Sequence, residues 1–147
     1  MSMEGGIAYL QTHVKLLTGK DQSGRSVAVR DAPDQPSESA NMFPFAVTYE
    51  REGDTLLSGE EFGPDTGVIY CEIHVARVFL DAAIVLATSF KLAFLQLIVS
   101  DPTLGRNVSP ITRVHRTFGE MIWGKVPTIG YRFELYLPSL VTATDVS

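Results

Sequence analysis

The sequence predicts an α+β fold: an antiparallel or mixed β-sheet of about five strands, two main helices packed on one side, and a long hairpin loop. Three observations carry this. The run from Phe79 to Ser100 is strongly apolar at helical spacing. The closing stretch "PTIGYRFELYLP" alternates Tyr131, Phe133, Leu135 and Leu137 with Arg132, Glu134 and Tyr136, a period of two. Between and before them the order is α-β-β-β-α-β-β, and consecutive strands favour antiparallel neighbours with helices on one face.

The first helix is expected from about Gly6 to Leu17, because Ile7, Leu10, Val14 and Leu17 form one apolar face. Gly19 stops it. "RSVAVRD" is a short strand and "DAPDQPSESAN" a loop rich in proline, serine and acid. In "FPFAVTYERE", Phe43, Phe45, Val47 and Tyr49 share one face, and Pro44, which cannot donate a ladder hydrogen bond, belongs at a strand start or on an edge. Glu50 to Asp65 is acidic and turn-rich, so it reads as a loop without fixed structure of its own. "TGVIYCEIHVARV" is a strand with Ile69, Cys71, Ile73, Val75 and Arg77 on the core face and Val68, Tyr70, Glu72, His74 and Ala76 on the other. Pro102 disfavours helical geometry at Asp101 and so ends the long helix. "SPITRVHRTF" and the closing stretch are the last strands, with Gly119 to Pro127 reading as an insertion between them.

The long helix has apolar residues on more than one side. Phe79, Ala82, Ala83, Leu86, Phe90, Ala93, Phe94 and Leu97 mark one face, while Leu80, Ile84, Leu95, Ile98 and Val99 lie elsewhere. Such a helix packs on a sheet with one face and on something else with another; a second copy of the chain is the natural candidate. A membrane span needs about 20 mostly apolar residues, but Asp81, Thr88, Ser89, Lys91 and Gln96 interrupt this one.

The chain has 147 residues, a 45% hydrophobic and 20% charged composition and a net charge of −5, which suits one globular domain. Its pI is about 5.1 and its mean hydropathy +0.11. The acidic balance lacks the basic face of a tight nucleic-acid binder. With one cysteine there is no intrachain disulfide. Met1 to Gly6 has neither the basic leader nor the apolar segment of a signal peptide.

No pattern of catalytic residues converges. Cys71 and His74 stand three apart on one strand and so face opposite ways, which leaves a half-buried thiol and a surface imidazole rather than a ligand or nucleophile pair. His13 and His115 have no spaced partners. Neither phosphate-loop glycine pattern occurs. Glu60 and Glu61 adjoin in a glycine-rich stretch, where a carboxyl lacks the rigid pocket that acid–base work needs. Charge is uneven: Asp34, Glu38, Glu50, Glu52, Asp54, Glu60, Glu61 and Asp65 face only Arg51, whereas Arg106, Arg113, Arg116, Lys125 and Arg132 dominate the C-terminal part. These are solvated faces, complementary subunit contacts, or an acidic surface past which DNA slides.

Several stretches in order, "SVAVRDAP", "FPFAVTYEREG", "GVIYCEIHVAR", "DPTLGRNV" and "IGYRFELYL", resemble the tail terminator proteins of long-tailed, siphovirus-type bacteriophages. The resemblance spans about Gly6 to Pro138. Arg106 departs from it, standing where that family commonly has a second glycine. The resemblance implies one domain over 1–147, with a core at about 6–138 and a tail at 139–147. It implies a non-enzymatic structural protein of the virion tail, assembled in the host cytoplasm, without cofactor, catalytic or metal site. Its partners would be itself as a homo-hexamer, the major tail tube protein, a head completion or connector protein, and genomic DNA passing through without specific binding; no membrane is involved. The ring would cap the head-proximal end of the tube, stop its elongation and provide the head-joining surface. Leu80, Ile84, Phe90, Leu95 and Ile98 are then candidates for the subunit interface. Glu50, Glu52, Asp54, Glu60 and Glu61 are candidates for lining the channel, and Arg113, Arg116 and Arg132 for basic contacts. Alternatives are another connector ring (a stopper or neck protein) and a small α+β enzyme or ligand-binding domain.

Overall fold

The computed structural model describes residues 3–30, 43–58, 61–77, 79–123 and 126–140, with backbone alone at 53–58, 61–66, 123, 126 and 138–140. The elements are α1 (Met3–Val14), β1 (Thr18–Lys20), β2 (Ser26–Ala28), β3 (Phe45–Ser58), β4 (Glu61–Ala76), α2 (Leu80–Ser100), β5 (Val114–Trp123) and β6 (Val126–Leu140). Four strands form an antiparallel sheet in the order β3-β4-β6-β5, and β1 and β2 form a separate two-stranded hairpin. The class is α+β, as the sequence predicts, with six strands among the described residues rather than five. The added strand, β1, includes Gly19, which packs directly under the Phe90 ring.

Both helices lie on one side of the sheet. α2 buries Ala83, Ala87, Phe90, Phe94 and Ile98 against Ile69, Cys71, Ile73 and Val75 of β4 and Ile129, Phe133, Leu135 and Leu137 of β6. The rings of Phe94 and Phe133 stack with centroids 4.1 Å apart. Burying one such aromatic contributes about 1.5–3 kcal/mol. α1 packs toward β3 with Met3, Gly6, Leu10 and Val14. It thus begins and ends earlier than the spacing of its larger residues suggests, and a glycine occupies one core position.

One expectation is corrected. In the described part of Glu50 to Asp65, 50–58 and 61–65 are not loop but strand: β3 and β4 pair from Phe45↔His74 out to Ser58↔Glu61. Each strand supplies the other's backbone partners, so the hairpin extends through glycines and acids that favour a turn on local grounds. Pro64 falls within the register shift opposite Thr55–Leu57, where a missing N–H costs no ladder bond. The stretch expected as an insertion, Gly119 to Pro127, is taken up in its described part by strands. β5 begins only at Val114 and pairs with β6 as far as Trp123↔Val126, so 119–123 belong to β5 and 126–127 to β6.

The turn after α2 is built by side chains. Asp101 has an extended backbone, φ −147°. Its Oδ1 accepts from the Thr103 hydroxyl at 2.8 Å and its Oδ2 from the Gly105 N–H at 3.0 Å. Thr103 Oγ1 in turn accepts from the Arg106 N–H at 3.1 Å. Leu104, Gly105 and Arg106 have φ of 49°, 71° and 66°. Thus Arg106 adopts the left-handed conformation that glycine favours. Leu104 is carried fully into the core beneath α1.

Candidate functional site

The two sides of the sheet differ in chemistry. On the helix side the core is apolar. On the open side, register places Phe45 beside His74, Val47 beside Glu72 and Tyr49 beside Tyr70, and then Glu72 beside Arg132 on β6. Phe43, Phe45, Val47 and Tyr49 do share a face, but the face turned away from the helices; they form a second cluster.

That cluster buries charge. Glu72 Oε2 accepts from the Tyr49 hydroxyl and from Arg132 Nε, the latter at 3.2 Å. Glu72 Oε1 lies 2.9 Å from His74 Nε2, and His74 Nδ1 lies 2.6 Å from Thr128 Oγ1. The Phe45 ring stacks on the imidazole, 4.5 Å between centroids. Burial pushes the Glu72 carboxyl up, but hydrogen bonds from His74 and Tyr49 and the Arg132 charge outweigh it and hold it below the usual carboxylate range. Burial, and then the bond to Glu72, push the Tyr49 hydroxyl well above its ordinary value.

His74 is therefore not a surface imidazole; it is fully buried. Threonine, histidine and carboxylate are joined as in a nucleophile–base–acid string, but Thr128 and His74 are closed to solvent and no substrate atom can reach the hydroxyl. Cys71 lies on the opposite side of the sheet, as alternation requires, and is fully buried rather than half-buried. Burial pushes its thiol up to about 12, so it is no nucleophile at neutral pH. Among the described residues no group of three or more His, Cys, Asp or Glu is placed to hold a metal. A pocket of about 260 Å³ beside the start of α2 is lined by Val27, Phe43, Pro44, Phe79 and Leu86, with Asp21 as its one charged residue. It lacks the convergent polar groups of a catalytic site.

The basic candidates divide between the two sides. Arg132 and Arg113 lie on the open side, over the rings of Tyr70 (5.0 Å) and Tyr136 (4.6 Å). Arg116 pairs in register with Phe133 and so faces the helix side, where it is exposed. The acidic candidates divide as well. A bulge at Arg51 sets Glu50 opposite Ile69 and Glu52 opposite Val68, on opposite sides of the sheet. Both are exposed, and Glu52 pairs with Arg51 at 2.8 Å. Asp54 and Glu61 are placed by backbone in β3 and β4; Glu60 lies outside the described residues.

α2 carries several exposed apolar side chains. Among the interface candidates, Leu80 and Ile84 are exposed and Leu95 is half-buried, but Phe90 and Ile98 are corrected: they are core residues, 0% and 5% exposed. At 100° per residue they fall on or beside the arc of Ala83, Ala87 and Phe94, which faces the sheet. The outward arc instead holds Ile84, Val85, Leu92 (62% exposed) and Val99 (73%). Val85, Leu92 and Val99 recur every seven residues, a spacing legible in the sequence and not singled out there. Phe79, Phe118 and Ile122 add exposed apolar surface on the same side of the sheet. α2 is also long and apolar enough to cross a membrane, with a mean hydropathy of 2.0 over its most apolar window.

No protein-family model, no curated protein and no solved structure matches this chain.

Proposed function

We propose that the chain is a self-assembling structural subunit rather than an enzyme. The observation that carries this is the outward arc of α2: Ile84, Val85, Leu92 and Val99 face water on a helix whose other side is fully packed. Single exposed apolar residues are ordinary, but four on the outward arc of one helix, with Asp81, Thr88 and Gln96 as the polar residues among them, make a surface of the kind expected of an interface. The closed Thr128–His74–Glu72 string and the apolar pocket support the same reading, because neither offers chemistry to a substrate.

The particular assembly we infer is a tail-terminator-type ring, on the sequence resemblance given above. A closed ring needs a heterologous contact, with two different surfaces on each subunit. The α2 arc supplies one and the edge strands β3 and β5 lie elsewhere on the chain. In this reading a homo-hexamer caps the head-proximal end of a tail tube, meets the tube protein on one side and a head connector on the other, and leaves a channel for DNA. The β3–β4 hairpin, with Glu50 and Glu52 exposed near its middle, is the segment we assign to the channel, where acids repel the phosphate backbone.

Light scattering coupled to size exclusion tests this directly. A hexamer is expected, either free in solution or on adding purified tail tubes. A chain that stays monomeric at its highest soluble concentration and does not bind tube ends refutes the ring.

A further inference from the structure

β5 is left uncovered on the helix side. Arg116, Phe118 and Ile122 pair in register with Phe133, Tyr131 and Pro127 and therefore face the same way as the core. Yet all three are exposed, Ile122 by 76%. α2 covers β4 and β6 and stops short of this edge strand. Its flank ends where Lys91 Nζ sits 5.7 Å from the centre of the Tyr131 ring. Phe118 is the next ring outward, 5.0 Å from Tyr131.

The chain thus presents two distinct apolar surfaces on the helix side: the outward arc of α2 and the bare strip of β5. The arc carries the acid Asp81, and the strip carries Arg116 together with Glu120, which pairs in register with Ile129 and so faces the same way. Asp81 lies at 100° from Leu80 on the helix wheel, at the centre of the arc with Val99. Arg116 lies within the strip. Among the described residues neither has a charged partner, whereas the neighbouring Glu120 is paired with Arg77 at 2.6 Å.

We propose that the outward arc of α2 in one copy packs on the β5 strip of a second copy, with Asp81 set against Arg116; this rests on the self-assembly reading above. Leu92, Val85 and Ile84 cover Phe118 and Ile122 and are covered by them, so both surfaces leave water together. Because the two surfaces differ, the contact is head-to-tail and each copy keeps one of each for the next neighbour, which is what a ring requires. With Glu120 held by Arg77, the Asp81–Arg116 pair sets the register of the contact.

Charge reversal tests the pairing. Asp81→Arg and Arg116→Asp change exposed side chains, and far-UV circular dichroism verifies that each variant folds. Each alone is expected to raise the dissociation constant of assembly by on the order of tenfold or more, since like charges then face each other. Mixing the two variants in equal amounts is expected to restore assembly, because the guanidinium introduced on the α2 arc of one then meets the carboxylate introduced on the β5 strip of the other. A wild-type chain that assembles while both variants assemble equally well overturns the pairing and leaves self-assembly standing, as does a mixture that fails to recover. A wild-type chain that remains monomeric overturns the self-assembly reading itself. Flotation of the wild type with phosphatidylcholine vesicles, abolished by Leu92→Glu, assigns the α2 arc to a membrane instead and overturns the proposal.

Discussion

Gly130 and Gly119 face each other across β6 and β5, and adding one methyl group to each should have opposite effects. A Cβ on Gly130 would fall inside the Ile73 carbonyl oxygen, 3.0 Å from its carbon and 3.3 Å from His74 Cα. These are backbone atoms of β4, with no flexible end to swing away. Adjacent strands lie about 4.8 Å apart, so β4 and β6 would have to part by roughly 1 Å at the place where Glu72 and His74 are buried. Overpacking of this kind costs about 1–3 kcal/mol, and each disturbed ladder bond about 1 kcal/mol more. Gly130→Ala should therefore destabilise by ~4 kcal/mol, a large part of the 5–15 kcal/mol typical of a domain. At a urea m-value of ~2 kcal/mol/M the midpoint falls by ~2 M. A Cβ on Gly119 meets nothing within 4 Å, so Gly119→Ala should be neutral or stabilising by ~0.5 kcal/mol. Equilibrium urea unfolding followed by circular dichroism compares them. Equal midpoints for the two variants, or the reverse order, would refute the close approach of β4 and β6 at this point.

Two other predictions rest on named groups. The folded carboxyl of Glu72 is held below its unfolded value, so it contributes stability that is present above the unfolded carboxyl pKa and lost as pH falls through the folded one; Asp101, held down chiefly by the Thr103 hydroxyl, acts in the same sense. Glu72→Gln should destabilise by about 2–4 kcal/mol at neutral pH and flatten the acid limb of a stability–pH curve; an acid limb as steep as that of the wild type would remove Glu72 as its source. In the turn after α2, Arg106→Gly should be neutral or stabilising by up to ~1 kcal/mol because φ there is 66°. Gly105→Ala should cost ~1–2 kcal/mol, since φ is 71° and the new Cβ would lie 2.9 Å from the Tyr9 ring; thermal melts with the order of these two variants inverted would contradict the turn geometry.

Local patterns alone determine a good deal here. The alternation of Tyr131, Phe133, Leu135 and Leu137 makes β6 a strand. Asp101–Pro102 ends α2, and the opposed sides of Cys71 and His74 follow from strand parity. The α+β class follows from element order, and the excess of apolar surface on α2 follows from composition. These are short-range facts, set by dihedral preference and periodicity within a few residues.

What tertiary structure alone decided depends on groups far apart in the chain. A helix apolar on more than one side does not say which arc meets the sheet; packing against Phe133 and Ile73 turned Phe90 and Ile98 inward and left Leu92 and Val99 in water. The acidic stretch after Glu50 has turn composition, yet β4 supplies the backbone partners that keep it a strand. One bulge at Arg51 reverses the side on which Glu52 lies, and no local signal marks it. The burial of His74 needed Phe45, Glu72 and Thr128 to converge from three strands. A side chain's periodicity is written in its neighbours, whereas its burial is set by whatever the rest of the chain brings against it.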